Sequence, residues 1–495
     1  MLFNSLAFLV FFPIVTALYF ATPHRRRWIV LLASSSYFYM CFIPIYIVIL
    51  FGTIVVDYVA ALLIESAEGR RRKAYLALSI VANVGVLAVF KYYNFLNHNI
   101  EALVTACDLK YSIPDLTIVL PIGLSFHTFQ AMSYTMEVYR GKQTAERHIG
   151  HYAVYVMFYP QLVAGPIERP QNLLHQFREP HELSDKNVAM GARLMLLGFF
   201  KKVVVADRLA FIVGKIYGDV GQYHGLALWI ATFLFSFQIY CDFSGYSDIA
   251  LGAARVMGFD LTNNFDRPYF SRSISEFWKR WHISLSTWFK DYLYVPLGGN
   301  RVGRGRWYAN LFIVFVVSGI WHGANWTFII WGALHGAYLV FAIVSQPARD
   351  NLTRALGLRR RPRLHRAWQM TLVFALTSFA WIFFRANTLN DALYVCRHLF
   401  DFAGTTFTVR GLMAGPELTG LGIPYASGIT RVMLAQSVAL IGVLLSLDVW
   451  QERRRIDELL ETTSTWKRWS LYYAMSFAIV LLGFSSEYQF IYFQF

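Results

Sequence analysis

Charge is scarce in this sequence. Only 15% of its 495 residues are Asp, Glu, Lys or Arg, against roughly a quarter in soluble globular proteins. That scarcity excludes both an ordinary soluble domain and a charge-rich disordered chain. Cysteine is scarce as well. Cys41, Cys107, Cys241 and Cys396 show neither the spacing of a disulfide framework nor that of a metal knuckle, and no metal site is expected. Acidic residues are outnumbered, 30 against 45 Lys and Arg, for a formal net charge of +15. The excess does not imply a nucleic-acid partner, because the basic residues sit in short clusters beside apolar runs, the pattern of cytoplasmic loops. The sequence has no internal repeat and no low-complexity stretch. Its first residues lack the positive n-region of a cleaved signal peptide. The charge follows the first apolar run, as His24-Arg-Arg-Arg27, and an uncleaved first span with its N-terminus outside is expected.

Apolar residues are what the chain has in abundance: 56% are hydrophobic and 17% aromatic. They come in blocks of the length that spans a bilayer, so the expected class is an all-α polytopic membrane protein with about 11–13 transmembrane or re-entrant helices. Several blocks are short for a full crossing, such as Tyr152–Val163 and Leu311–Ile320. Residues 1–495 are expected to form a single membrane domain. Two stretches interrupt the apolar pattern. Residues 385–431 read as a polar outer loop. Residues 264–306 read as a cytoplasmic interfacial region, where Ile274, Phe277, Trp278, Trp281, Leu285, Trp288 and Phe289 recur at the spacing of one amphipathic helix. On that helix His282 shares the apolar face, four residues after Trp278.

His322 carries the strongest functional signal. It lies in Ser318-Gly-Ile-Trp-His-Gly-Ala-Asn-Trp326, between two apolar runs, where an ionisable side chain is costly and marks function by default. Gly319 and Gly323 let backbone or substrate approach closely. Helical spacing places Ser318 and Asn325 on the same face. A desolvated histidine favours its neutral form, which suits a general base. The bland reading, a buried histidine satisfied by a polar neighbour, is weaker at this depth. Ser318 lacks a nucleophile-elbow context and reads as a packing residue. His282 is ambiguous alone and gains meaning as a partner of His322. Tyr240-Cys-Asp-Phe-Ser-Gly-Tyr-Ser-Asp248 ends an apolar span with costly carboxylates, and Asp242 and Ser244, beside Gly245, read as supports of a polar cavity. Trp321 and Trp281 join them as candidate walls. Gly165-Pro-Ile-Glu-Arg-Pro170 reads as a turn holding the charge pair Glu168 and Arg169.

Together these segments, with Phe265-Asp-Arg-Pro-Tyr269, Phe277-Trp-Lys-Arg-Trp-His282 and Tyr294-Val-Pro-Leu-Gly-Gly-Asn300, resemble the membrane-bound O-acyltransferase family, in its bacterial polysaccharide-acetylating branch. The resemblance implies a ring of helices around a thin centre, with a tunnel from a cytoplasmic donor site to an outward acceptor site. It implies that His322 is the essential histidine and that His282 is the second polar residue. His282 would then orient or polarise a thioester carbonyl or assist proton transfer. It implies no permanently bound cofactor and an acyl thioester donor such as acetyl-coenzyme A, a polyanion that the basic clusters would attract. It further implies periplasmic acetyltransferase or esterase-fold partners, polysaccharide machinery, and residence in a bacterial inner membrane. Alginate is the expected polysaccharide. D-alanyl transfer from an acidic carrier protein, or a proton-coupled transporter, are the alternatives that the residues leave open.

Overall fold

The computed structural model describes every residue except 164, 403–417, 419–420, 422, 424–426, 452–462, 484–489 and 492–495. The described residues are helical apart from loops and one isolated bridge, Phe265 to Trp281. Among the described residues, six helices are long and apolar enough to cross a membrane: Tyr46–Ser66, Gly69–Ala106, Leu226–Val256, Trp326–Val344, Pro362–Arg385 and Arg431–Trp450. Leu6–Ala21 is apolar but shorter. The expected all-α membrane class is therefore present in the fold.

The boundaries differ from the hydropathy reading in instructive ways. The apolar block Ala74–Phe90 continues as helix to Ala106, through a widened π turn at Ala88–Tyr92. The block read as ending at Tyr240 runs 31 residues to Val256, so Asp242 and Asp248 lie inside a helix. Tyr152–Val163 is two short helices, Ile149–Met157 and Tyr159–Leu162. The expected loop 385–431 contains a capped helix, Leu389–His398, where Thr388 and Asp391 form a reciprocal capping box. Most of the remainder of that loop lies outside the described residues, as does the basic cluster Arg453–Arg455.

The chain divides into two compact units. The first holds Met1–Gly198 and Tyr246–Asn263. Its interior is stitched by polar contacts between apolar helices. Buried Asp57 accepts from Ser79 at 2.6 Å and from Asn83 at 2.9 Å, and Ser79 also reaches Thr135 at 3.0 Å. Glu168 of the Gly-Pro turn accepts from the Thr262 backbone and hydroxyl, while Arg169 donates to Ser133 at 3.1 Å. These contacts satisfy groups that would be costly in an apolar medium.

The second unit holds Phe199–Gly245 and Asn264–Phe495. Its core is strongly aromatic, with Trp281, Trp331 and Trp381 buried at its centre. Two helices, Arg304–His322 and Trp326–Val344, pack against each other as a hairpin. Glycine sets their approach. A Cβ on Gly319 would sit 2.3 Å from the Phe328 carbonyl oxygen, and one on Gly332 2.2 Å from the Phe315 carbonyl oxygen. Backbone therefore meets backbone, as in small-residue crossings of membrane helices.

Candidate functional site

His322 is the last residue of the Arg304–His322 helix. Gly323 follows in extended backbone and ends it, and a Cβ there would strike the Phe328 ring at 2.2 Å. The imidazole is 5% exposed and walled by aromatic rings. Its centroid lies 4.9 Å from Trp321, 4.9 Å from Trp331 and 5.4 Å from Phe384, all nearly edge-on. Ser318, one turn earlier, is also buried. Asn325 departs from its expected place. The helix stops before it, so it does not share the His322 face. It caps the next helix instead, accepting from the Thr327 backbone at 3.0 Å and donating to the Asn387 carbonyl at 3.2 Å.

His282 also sits where periodicity did not place it. The expected single helix is two, Ile274–Arg280 and Ile283–Phe289, broken at Trp281 and His282. His282 has φ 45° and ψ 57°, the left-handed region that non-glycine residues enter at a cost. The preceding segment pins this break. The Asn264 carbonyl accepts from the Ile283 backbone at 3.0 Å, and Asp266 donates its backbone N–H to Arg280 at 2.9 Å. The Asn264 side-chain oxygen accepts from the Ser284 backbone at 3.2 Å and the Ser284 hydroxyl at 2.7 Å, and it faces His282 Nδ1 at 3.4 Å. His282 is 1% exposed, and burial brings its imidazole from the ordinary 6.5 down to about 3, so the neutral ring prevails.

The fold does bring the two histidines to one aromatic neighbour. The Trp321 ring is 6.5 Å from His282 and 4.9 Å from His322. Phe243 packs edge-on against His282 at 4.6 Å. Trp281 lies beneath, stacked on Phe277 at 5.5 Å and 5.1 Å from Trp381. The remaining support candidates lie on the Leu226–Val256 helix. Asp242 is ion-paired to buried Lys202 at 2.6 Å, and Lys202 also binds Asp207 at 2.7 Å. Asp242 further accepts from the Ile491 backbone at 2.8 Å. Ser244 is buried, and its hydroxyl has no partner among the described residues.

Sequence reasoning missed two residues. Asn264 looked like loop, and its role follows from long-range contacts that no local pattern encodes. His335 is fully buried on the Trp326–Val344 helix, with Nδ1 accepting from the Trp278 indole at 3.3 Å and its ring 5.1 Å from Trp331. The available signal was its place one turn after Trp331, between Gly332 and Gly336.

A buried imidazole beside aromatic walls, with the neutral His282 sharing the Trp321 ring, is an arrangement suited to proton transfer away from bulk solvent. Comparison with known proteins gives the family. Residues 145–386 match the model for MBOAT, the membrane-bound O-acyltransferase family. The chain is 39% identical over 427 residues to "Probable alginate O-acetylase AlgI" of Pseudomonas aeruginosa, covering 86% of this chain and 79% of that protein. It is 35% identical over 408 residues to the peptidoglycan O-acetyltransferase of Helicobacter pylori, covering 77% and 75%. It is 30% identical over 240 residues to the teichoic acid D-alanyltransferase of Streptococcus thermophilus, covering 44% and 56%.

Proposed function

Since this chain belongs to the membrane-bound O-acyltransferase family and is an acyltransferase, we propose that it transfers acetyl from a cytoplasmic thioester toward an exopolysaccharide, with His322 as general base. The burial of His322 at a helix end walled by three aromatic rings carries this reading. His322 takes the proton of the accepting hydroxyl as its oxygen attacks the thioester carbonyl carbon. The C–S bond breaks, and the departing thiolate receives that proton. The negative end of the helix dipole lies beside a ring that becomes positive in the transition state, which favours the transfer. The aromatic walls keep water from competing for the thioester.

Acetyl is favoured over D-alanyl because the acetylating relatives match over 77–86% of the chain and the D-alanyl relatives over 44% and 53%. Alginate is favoured as the polysaccharide by the name and coverage of the Pseudomonas relative. In this reading the protein works in the inner membrane with its N-terminus on the periplasmic side, and hands acetyl to periplasmic acetyltransferase partners. Acetyl-coenzyme A is the expected donor.

The test is His322→Ala in the full-length protein, assayed for acetyl transfer from acetyl-coenzyme A and for polysaccharide acetylation in cells. Loss of a general base costs about 10²–10⁴ in rate. The variant should insert and melt like the parent while losing transfer. Near-parental transfer by a well-folded variant refutes the assignment.

A further inference from the structure

The hydrogen bonds around Asn264 decide which nitrogen of His282 carries the proton. Asn264 is 1% exposed, and one atom of its side chain accepts from the Ser284 backbone N–H and the Ser284 hydroxyl. A backbone N–H gives a hydrogen bond only to an acceptor, so that atom is the amide oxygen. The same oxygen faces His282 Nδ1 at 3.4 Å. Nδ1 therefore donates. In a neutral imidazole the other nitrogen, Nε2, then holds a lone pair.

We propose that Asn264 is a positioning residue that holds His282 in the Nδ1–H form, so that Nε2 receives a hydrogen bond from the substrate and gives none. The assignment of a substrate rests on the acyl-transfer reading above; the assignment of the tautomer does not. A bare Nε2 cannot polarise a thioester carbonyl, which itself only accepts. It recognises an O–H or N–H group instead: the accepting hydroxyl, or an amide N–H of the pantetheine arm that coenzyme A and carrier-protein thioesters share. The neutral ring is consistent with its surroundings. Phe243 and Trp321 face it, and Asp242, next to Phe243 in the chain, is ion-paired to Lys202.

Asn264 also bonds to both residues that follow the left-handed His282, so a loss of stability alone would not show positioning. The experiment therefore reads the tautomer directly. Full-length protein labelled with ¹⁵N-histidine is compared in detergent as parent, Asn264→Asp and Asn264→Leu, with His282→Asn to assign the signal. Acetyl transfer is measured on the same samples with acetyl-coenzyme A and a mannuronate oligosaccharide. The parent should show a protonated Nδ1 and a bare Nε2. Asn264→Asp should keep that form and move the acidic limb of the rate profile up by about one pH unit or more, as a carboxylate beside an imidazole does. Asn264→Leu should lose the preference and fall in kcat by about tenfold or more, as loss of an outer-shell partner does. A raised KM for the oligosaccharide identifies the hydroxyl as the bound group, and a raised KM for acetyl-coenzyme A the donor arm. A protonated Nε2 in the parent overturns the proposal, as does an unchanged tautomer in Asn264→Leu. If the tautomer responds as expected while no sample transfers acetyl, positioning stands and the acyl-transfer reading falls.

Discussion

Proton affinity at His282 has a consequence for the whole chain. In the unfolded chain its imidazole titrates near the ordinary 6.5, while the folded site refuses the proton until about 3. Between those values the unfolded state binds more protons, so stability is fullest above 6.5 and drains as pH falls through it. The parent protein should thus melt at lower temperature at about pH 5, inside that window, than at about pH 7.5, above it. His282→Asn should lessen that drop, and an identical drop in the variant contradicts the burial argument. The residue scale also shows what a sequence conceals. The burial of His322 was legible because the histidine lies between glycines in an apolar run. Asn264 was not, since its importance lies in bonds to residues 18 to 20 positions away.

Among the helices, glycine contacts and a buried ion cluster make contrasting demands. Gly332→Ala drives a methyl to 2.2 Å from the Phe315 carbonyl oxygen, an overpacking that costs about 1–3 kcal/mol and displaces the hairpin carrying His322. Gly52, inside Tyr46–Ser66, has nothing within 4 Å of the same position, so Gly52→Ala should be neutral or stabilising by up to about 1 kcal/mol. Melting curves and transfer rates of the pair separate these outcomes, and equal effects would contradict the contact argument. Lys202→Met leaves Asp207 and Asp242 buried without their shared cation and should cost about 3–5 kcal/mol, read as a lowered melting temperature. A parental melting temperature would show that the carboxylates find other compensation. At this scale the sequence was half legible. Aromatic periodicity identified the Ile274–Phe289 region and its buried face. It joined two helices into one, because the left-handed turn at His282 is imposed by contacts from Asn264 and Asp266 and no local propensity announces it.

For the molecule as a whole, composition sufficed to give the membrane class, since low charge and long apolar blocks have no soluble solution. It did not give true helix lengths. Hydropathy sees polar residues as ends, whereas Leu226–Val256 carries Asp242 through its middle by pairing it with Lys202. The net charge of +15 bears on the proposed donor, acetyl-coenzyme A. Coenzyme A is polyanionic, so its attraction to the protein should weaken as salt shortens the screening length from about 14 Å at 0.05 M to about 4 Å at 0.5 M. KM for acetyl-coenzyme A should rise several-fold over that range, while KM for uncharged acetyl-pantetheine stays level. A salt-independent KM for both would detach the basic clusters from donor capture.

The glycine-seated hairpin fixes where evolution can adjust this enzyme. Because main chain rests on main chain at Gly319 and Gly332, no side chain there can be exchanged to shift His322 by a fraction of its position. With His322 as the proposed base, the reacting point is a datum. In that proposed reading a larger or smaller acyl group is accommodated by side chains around the imidazole, such as Phe384 of the Pro362–Arg385 helix, whose ring lies 5.4 Å from His322.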